Sequence, residues 1–283
     1  MLHPQELPAY KSTFDEQGFV IVRSLFSTAE AETLRDHYME LRAGGARQWD
    51  MVADTPVAAD PLQKYPRMIH MHRWDARSME WFLDPRLAQC LAALFGCPPL
   101  ACQTMLYFKP PGARGQALHQ DQFYLRVHPG TCMAAWMALD RIDEENGCMH
   151  VVPGSHRWPL LCHADADTTQ SFTKNTVPIP EGTATVPAIM EPGDVLFFNG
   201  YLVHGSYPNV STDRFRRSLI GHYINGYADK VTAFDHPVLR MDGSVVDMAD
   251  SEAGGPCGVW VDHEGKPSIE MAGLEARGAL AVE

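Results

Sequence analysis

The apolar positions of the chain change rhythm near residue 98. Upstream, Gly18-Phe19-Val20-Ile21-Val22 is a short apolar run that predicts a strand, and the pattern from about 28 to 43 predicts a helix. Ser27 and Glu30 stand at the spacing of a capping box, in which each residue satisfies an orphan amide of the helix start. A second helix is predicted from Asp84-Pro85 to Gly96, with Asp as N-cap, Pro in the first turn and Gly closing the last. Residues 44–66, rich in Gly, Ala, Pro and Asp, read as a mobile loop.

Downstream, segments 100–109, 117–125, 132–139, 148–152, 184–190, 194–199 and 217–225 are short and rich in apolar, aromatic or β-branched residues. Pro-Pro-Gly, Glu-Asn-Gly, Pro-Gly-Ser and Glu-Pro-Gly-Asp punctuate them as turns. This succession of short strands predicts an all-β sandwich or barrel. No βαβ rhythm and no GxGxxG occurs, which disfavours a nucleotide-binding parallel sheet. Beyond 226 the pattern weakens, apart from a hairpin predicted from Gly258-Val259-Trp260-Val261-Asp262 to Glu264-Gly265-Lys266. That tail stays open between a lid, an interface arm and a partly disordered end.

Composition narrows the classes. The 283 residues are 45% hydrophobic and 20% charged, which fits a globular chain and not a disordered one. No apolar run reaches eighteen residues, so no membrane span is expected. Met1-Leu2-His3-Pro4-Gln5-Glu6 lacks a basic region followed by an apolar stretch, so no secretory signal is expected either. A formal net charge of −12 argues against nucleic acid as a partner, although a local arginine cluster can still receive an anion. The seven cysteines are odd in number and none pairs as C-x-x-C. Buried free thiols in a cytoplasmic protein are therefore expected, rather than a zinc knuckle or a disulfide framework.

The chemistry concentrates in Ala117-Leu118-His119-Gln120-Asp121-Gln122-Phe123-Tyr124. On a strand, His119 and Asp121 would point the same way, about 6–7 Å apart along the backbone. An imidazole and a carboxylate so placed can share one ion, and a third ligand must come from elsewhere. His204 supplies it, just beyond the apolar run Asp194-Val195-Leu196-Phe197-Phe198. Two histidines and one carboxylate leave metal positions open for a co-substrate and O2, the facial triad of non-heme iron(II) oxygenases. Arg216, in Arg214-Phe215-Arg216-Arg217-Ser218, offers a planar fork for a carboxylate such as that of 2-oxoglutarate. Ser218 shares its face if the segment is a strand. Arg214 and Arg217 read as solvated charges. His70 and His72 also stand at strand spacing but lack a carboxylate partner in a recognisable frame.

These pieces stand in a known order. Thr104-Met105-Leu106-Tyr107-Phe108-Lys109-Pro110-Pro111-Gly112 precedes His119-Gln120-Asp121. Asn146-Gly147-Cys148-Met149-His150-Val151-Val152-Pro153-Gly154-Ser155-His156, Gly193-Asp194-Val195-Leu196-Phe197-Phe198, His204-Gly205-Ser206 and Phe215-Arg216-Arg217-Ser218 follow. From about 15 to 225 the chain resembles the phytanoyl-CoA dioxygenase family of iron(II)- and 2-oxoglutarate-dependent oxygenases. The resemblance implies a mainly β fold with flanking helices, a double-stranded β-helix or cupin-like jelly roll. It implies one domain: a helical and loop part over about 1–98, a core over about 99–226 and an extension over about 227–283. It makes His119, Asp121 and His204 the iron ligands, Arg216 the residue that binds 2-oxoglutarate, and Met105 and Trp136 part of that pocket; Ser218, on the face of Arg216, is assigned to the same clamp.

Gln103, Met105 and Tyr107 alternate on one face, open between pocket lining and core; Gln103 is assigned to the co-substrate side. His70, His72, Tyr107 and Phe123 are assigned to substrate contacts. Gln120, between two ligands, should point away. Relatives that halogenate replace the carboxylate by a small residue; Asp121 is intact, which favours hydroxylation of an unactivated C–H bond of a small molecule, with release of succinate and CO2. Two alternatives use the same ligands: a cupin-like metal-binding protein without turnover, and a metal-dependent hydrolase or isomerase. Substrate identity and oligomeric state are not legible, and regions 44–80, 160–182 and 226–270 are the candidates for substrate selection.

Overall fold

A helix absent from the apolar pattern opens the chain: α1 (Leu7–Gln17) buries Phe14 alone, too little for a visible stripe. The computed structural model describes residues 5–45, 48, 50, 51, 53, 60–252 and 255–272. After β1 (Phe19–Val22), α2 (Thr28–Ala43) starts at Ser27 with both arms of the capping box formed. The predicted loop at 44–66 lies partly outside the described residues; its last part holds a 3-10 turn at Pro61–Gln63. Next come β2 (Met68–Ile69), a second 3-10 turn (Met71–Arg73) and α3 (Ala76–Phe82). α4 (Pro85–Phe95) is capped by Asp84 and closed by Gly96 in the left-handed region, as its sequence predicts.

The strands follow: β3 (Pro99–Tyr107), β4 (Gln116–His119), then a short α5 (Asp121–Leu125), β5 (Cys132–Ala138) and β6 (Met149–Val151). A small pair, β7 (Ala164–Asp165) and β8 (Asn175–Thr176), precedes β9 (Val186–Pro187), β10 (Val195–Asn199), β11 (His204–Ser206) and β12 (Ser218–Asn225). The last part holds β13 (Lys230–Val231), β14 (Val238–Arg240), β15 (Val245–Val246), β16 (Ala249–Asp250) and the predicted hairpin, β17 (Gly258–His263) with β18 (Lys266–Met271).

The fold is mainly β with some helices. One antiparallel sheet runs β1-β10-β5-β12-β3-β14-β15, with β2 also on β3; a second runs β4-β11-β6-β9. Strand alternation decides what each face meets. Ala135 and Met137 of β5, with Val195 and Phe197 of β10, pack against Phe14, Ala31, Tyr38 and Leu91 of the helices. Their neighbours Ala134, Trp136, Leu196 and Phe198 face the other way, onto Met149 and Val151 of the small sheet. The large sheet is thus buried on both faces, which explains why every residue of β5 and β12 is buried and why β5 reads as a continuous apolar run.

Two expectations fail. Residues 117–125 are not one strand: β4 ends at His119, Gln120 is extended, and α5 begins at Asp121. Asp121, Gln122 and Leu125 are buried at helical spacing, and the Gln122 side chain satisfies the Val127 carbonyl and the Cys132 amide. Nor are all thiols free, since Cys162 and Cys257 form a disulfide across 95 residues. Backbone bonds from Cys162 to the Gly258 carbonyl and from Gly258 to the Leu160 carbonyl bring the two segments alongside, which no sequence spacing reveals. Cys90, Cys97, Cys102, Cys132 and Cys148 are free. No helix among the described residues is long and apolar enough to cross a membrane.

Candidate active site

Three elements deliver three donors to one point. His119 ends β4, Asp121 starts α5 and His204 starts β11, which pairs with β4 so that the two histidines face each other in register. One ligand atom from each lies within 4.8 Å of the others. His119 Nδ1 donates to the Ala117 carbonyl (2.9 Å) and His204 Nδ1 to the Leu202 carbonyl (3.0 Å). A carbonyl can only accept, so both Nδ1 atoms carry the proton and both Nε2 atoms present a lone pair, that of His119 facing Gln116 Nε2 at 3.1 Å. They converge on Asp121 Oδ1, at 3.5 and 3.6 Å. Asp121 Oδ2 instead accepts from His222 Nε2 at 3.1 Å.

The electrostatics suit a cation. Burial alone would raise the Asp121 carboxyl, yet His204, His119 and His222 together hold it well below the usual range. Burial, helped by His119, pushes His204 down to about 3, which keeps it a neutral ligand. Oriented neutral imidazoles with one carboxylate fit one divalent first-row ion, and Fe(II) among them. Gln120 points away, its amide donating to the Tyr201 and Pro159 carbonyls.

A cavity of about 400 Å³ opens from this point in two directions. Arg216, 2% exposed, closes one end. Its Nε donates to the Gly147 carbonyl (3.1 Å), its Nη1 to Ser218 Oγ (3.0 Å), and its plane lies over Trp136. Among the described residues it has no carboxylate within 4.0 Å, whereas Arg214 pairs with Asp143 and Glu145, and Arg217 with Asp140. A buried guanidinium left without an anion invites one from outside. Gly147 is obligatory there: its φ is +85°, and a Cβ would come within 2.6 Å of the Tyr207 carbonyl.

The sequence motifs do not single out Lys109 and Ser206. Lys109 is buried, and its Nζ donates to Ser206 Oγ (2.7 Å) and the Tyr207 carbonyl (2.5 Å). Ser206 lines the cavity two residues after His204, so strand alternation from the ligand is the signal that could have found it.

Of the remaining sequence candidates, Met105, Tyr107, Trp136 and Gln103 line the cavity. Gln103 stands at the end remote from Arg216, because β3 and β12 pair Tyr107 with Ser218, Met105 with Ile220 and Gln103 with His222. That position does not fit the co-substrate side assigned to it. His70 and His72 do not share a strand face: His70 is left-handed and His72 lies in the 3-10 turn, its Nδ1 on Thr104 Oγ1. Neither lines the cavity, nor does Phe123, whose ring packs tilted against that of His163, centroids 4.0 Å apart, while its neighbour Tyr124 reaches the wall. The local cause is α5, whose helical turn swings 123 and 124 apart.

An open metal site beside a clamp for a carboxylate is the construction of the iron(II)- and 2-oxoglutarate-dependent oxygenases. Comparison with known proteins narrows this. The phytanoyl-CoA dioxygenase (PhyH) family matches residues 14–218, and the chain belongs to that family. It is 26% identical over 261 residues to the peroxisomal phytanoyl-CoA dioxygenase of Bos taurus, covering 85% of this chain and 75% of the bovine one. It is 30% identical over 216 residues to the methylphosphonate hydroxylase of Gimesia maris, covering 73% and 76%. The epimerase SnoN, solved with Fe3+, alpha ketoglutarate and nogalamycin RO, shares the fold with a TM-score of 0.64 at 22% identity, covering 80% of this chain and 86% of SnoN.

Proposed function

We propose that this chain hydroxylates an unactivated C–H bond of a small molecule, consuming 2-oxoglutarate and O2 and releasing succinate and CO2. The reading takes the two packed sheets as a double-stranded β-helix and the whole chain as one catalytic domain. Arg216 carries it: a buried, anion-less guanidinium shares a cavity with His119, Asp121 and His204. A hydrolase or isomerase that uses the metal only as a Lewis acid, or a cupin-like metal-binding protein without turnover, has no need of a dicarboxylate clamp.

When bound to the triad with its co-substrate, iron(II) supplies the activation of O2. The protein groups provide the rest. Ala117 and Leu202 fix the tautomers of His119 and His204 through their carbonyls. Arg216 and Ser218 receive the remote carboxylate of 2-oxoglutarate, a charge-assisted contact that sets which end of the acid reaches the triad. Met105, Trp136, Phe198 and Ile220 wall that path with apolar surface and limit the water near the reacting centre.

Anaerobic addition of Fe(II) and 2-oxoglutarate should produce a weak visible charge-transfer band, and a metabolite panel should reveal substrate-dependent succinate release. Absence of both would reject the oxygenase reading.

A further inference from the structure

The cavity end remote from Arg216 has the opposite polarity. Asp235 reaches it from a 3-10 turn (Ala233–Asp235) that also brings Phe234 to the wall. Asp235 is 1% exposed, and Gln103 Nε2 donates to its Oδ1 at 2.7 Å. Among the described residues it has no lysine or arginine within 4.0 Å. Arg73, on the other side of the turn, donates to the Phe234 carbonyl at 3.1 Å. His70 Nε2 lies 3.9 Å from Asp235 Oδ1, but burial, with Arg73 and His72, pushes that imidazole down to about 3 and keeps it neutral.

His222 stands next to Gln103. The two pair across β12 and β3, and both line the cavity. The Nε2 of His222 donates to Asp121 Oδ2, and its Nδ1 is buried with no hydrogen-bond partner among the described residues. This end thus holds a carboxylate, with its amide donor already engaged. Burial pushes the Asp235 carboxyl up to about 6, with His222, Gln103 and Arg73 pulling the other way, so it is an anion at neutral pH. A buried carboxylate with no lysine or arginine in direct contact among the described residues favours a ligand that donates hydrogen bonds and brings positive charge. The Phe234 ring beside it suits the same ligand.

We propose that the substrate carries a protonated amine that docks on Asp235, with Phe234 as an aromatic wall. The inference rests on the oxygenase reading and names the substrate class for the same cavity. Thr232, Phe234 and Asp235 lie beyond residue 218, outside the part matched to the family, where a relative-specific contact belongs. The docked amine anchors one end of the molecule and leaves its carbon skeleton to extend toward the triad.

Mn(II) in place of iron turns the site into its own reporter, because it broadens the NMR lines of any probe bound near it. The wild-type protein with Mn(II) and 2-oxoglutarate would be titrated with n-butylamine and benzylamine, against n-butanol, benzyl alcohol and the N-acetylated amines. Amines should broaden at concentrations at least tenfold lower than their neutral counterparts, and Asp235→Asn should remove that preference. Equal broadening of amines and alcohols in wild type overturns the proposal without any variant. So does a preference that survives in a folded Asp235→Asn protein, checked by its melting curve. If the wild type binds neither Mn(II) nor 2-oxoglutarate, the oxygenase reading itself fails.

Discussion

Asp121 turns one carboxylate oxygen toward His119 and His204 and gives the other to His222, whose Nε2 lies 3.1 Å away. This bond holds the carboxylate in one orientation before any ion arrives. His222→Ala should weaken divalent metal binding by roughly 10- to 100-fold, the usual effect of removing such an orienting partner. Glutamine at 222, which keeps an N–H donor, should recover part of it. A Mn(II) titration followed by EPR would decide, and unchanged affinity in His222→Ala would show that Asp121 needs no orienting.

Removing any of the three converging donors should be more severe. His119→Ala, Asp121→Ala and His204→Ala should each abolish succinate release while the protein still melts cooperatively. Near-wild-type turnover in any of them would displace that residue from the metal.

Arg216 and its neighbours make an internal control. Arg216→Ala should raise the 2-oxoglutarate requirement on the order of 100-fold, as expected for loss of a buried charge-assisted contact. Arg214→Ala and Arg217→Ala should leave it within about threefold, because those side chains pair with Asp143, Glu145 and Asp140 and do not line the cavity. Steady-state titration of 2-oxoglutarate at fixed substrate separates them.

Gly147 tests the support of that clamp. Alanine there would place a Cβ 2.6 Å from the Tyr207 carbonyl at a left-handed position, a cost of about 1–3 kcal/mol. The same shift moves the carbonyl that holds Arg216 Nε. Gly147→Ala should therefore lower the melting temperature and weaken 2-oxoglutarate binding together; a loss of stability alone would separate the two roles.

Asp235 predicts a pH dependence with a definite sign. Its folded pKa, about 6, lies above the ordinary 3.8, so between these values the folded state holds more protons than the unfolded one. Stability should fall as pH rises through that window, with the whole penalty, on the order of 2–3 kcal/mol, present by pH 7. Asp235→Asn can keep the Gln103 contact and lose the charge. The ligand-free variant should melt above wild type at pH 7.5, and the gap should close near pH 4. A gap of equal size at both values would contradict the buried anion.

The residues that could be read from the sequence were those whose meaning is local. His119-x-Asp121 is a spacing, Arg216 a functional group next to Ser218, and Ser27 with Glu30 a cap closed within one turn. Two local readings fail: α5, which looks like more strand until Gln122 finds its partners at Val127 and Cys132, and the strand spacing of His70 and His72, broken by a left-handed residue and a 3-10 turn. What stayed hidden depends on register between distant strands. His222 reaches Asp121 from 101 residues away, and Asp235 reaches Gln103 from 132. Lys109 and Ser206 meet only because the segments after β3 and at β11 come together. Cys162 and Cys257 belong to the same category.

Strand β12 carries Ile220 toward the co-substrate side and His222 toward Asp121, and the chain that leaves it builds the wall with Asp235. Inherited chemistry and acquired taste therefore meet at a single seam near Asn225. Relatives could exchange the segment behind that seam as a cassette, trading one diet for another while the oxidising machinery in front of it stays untouched.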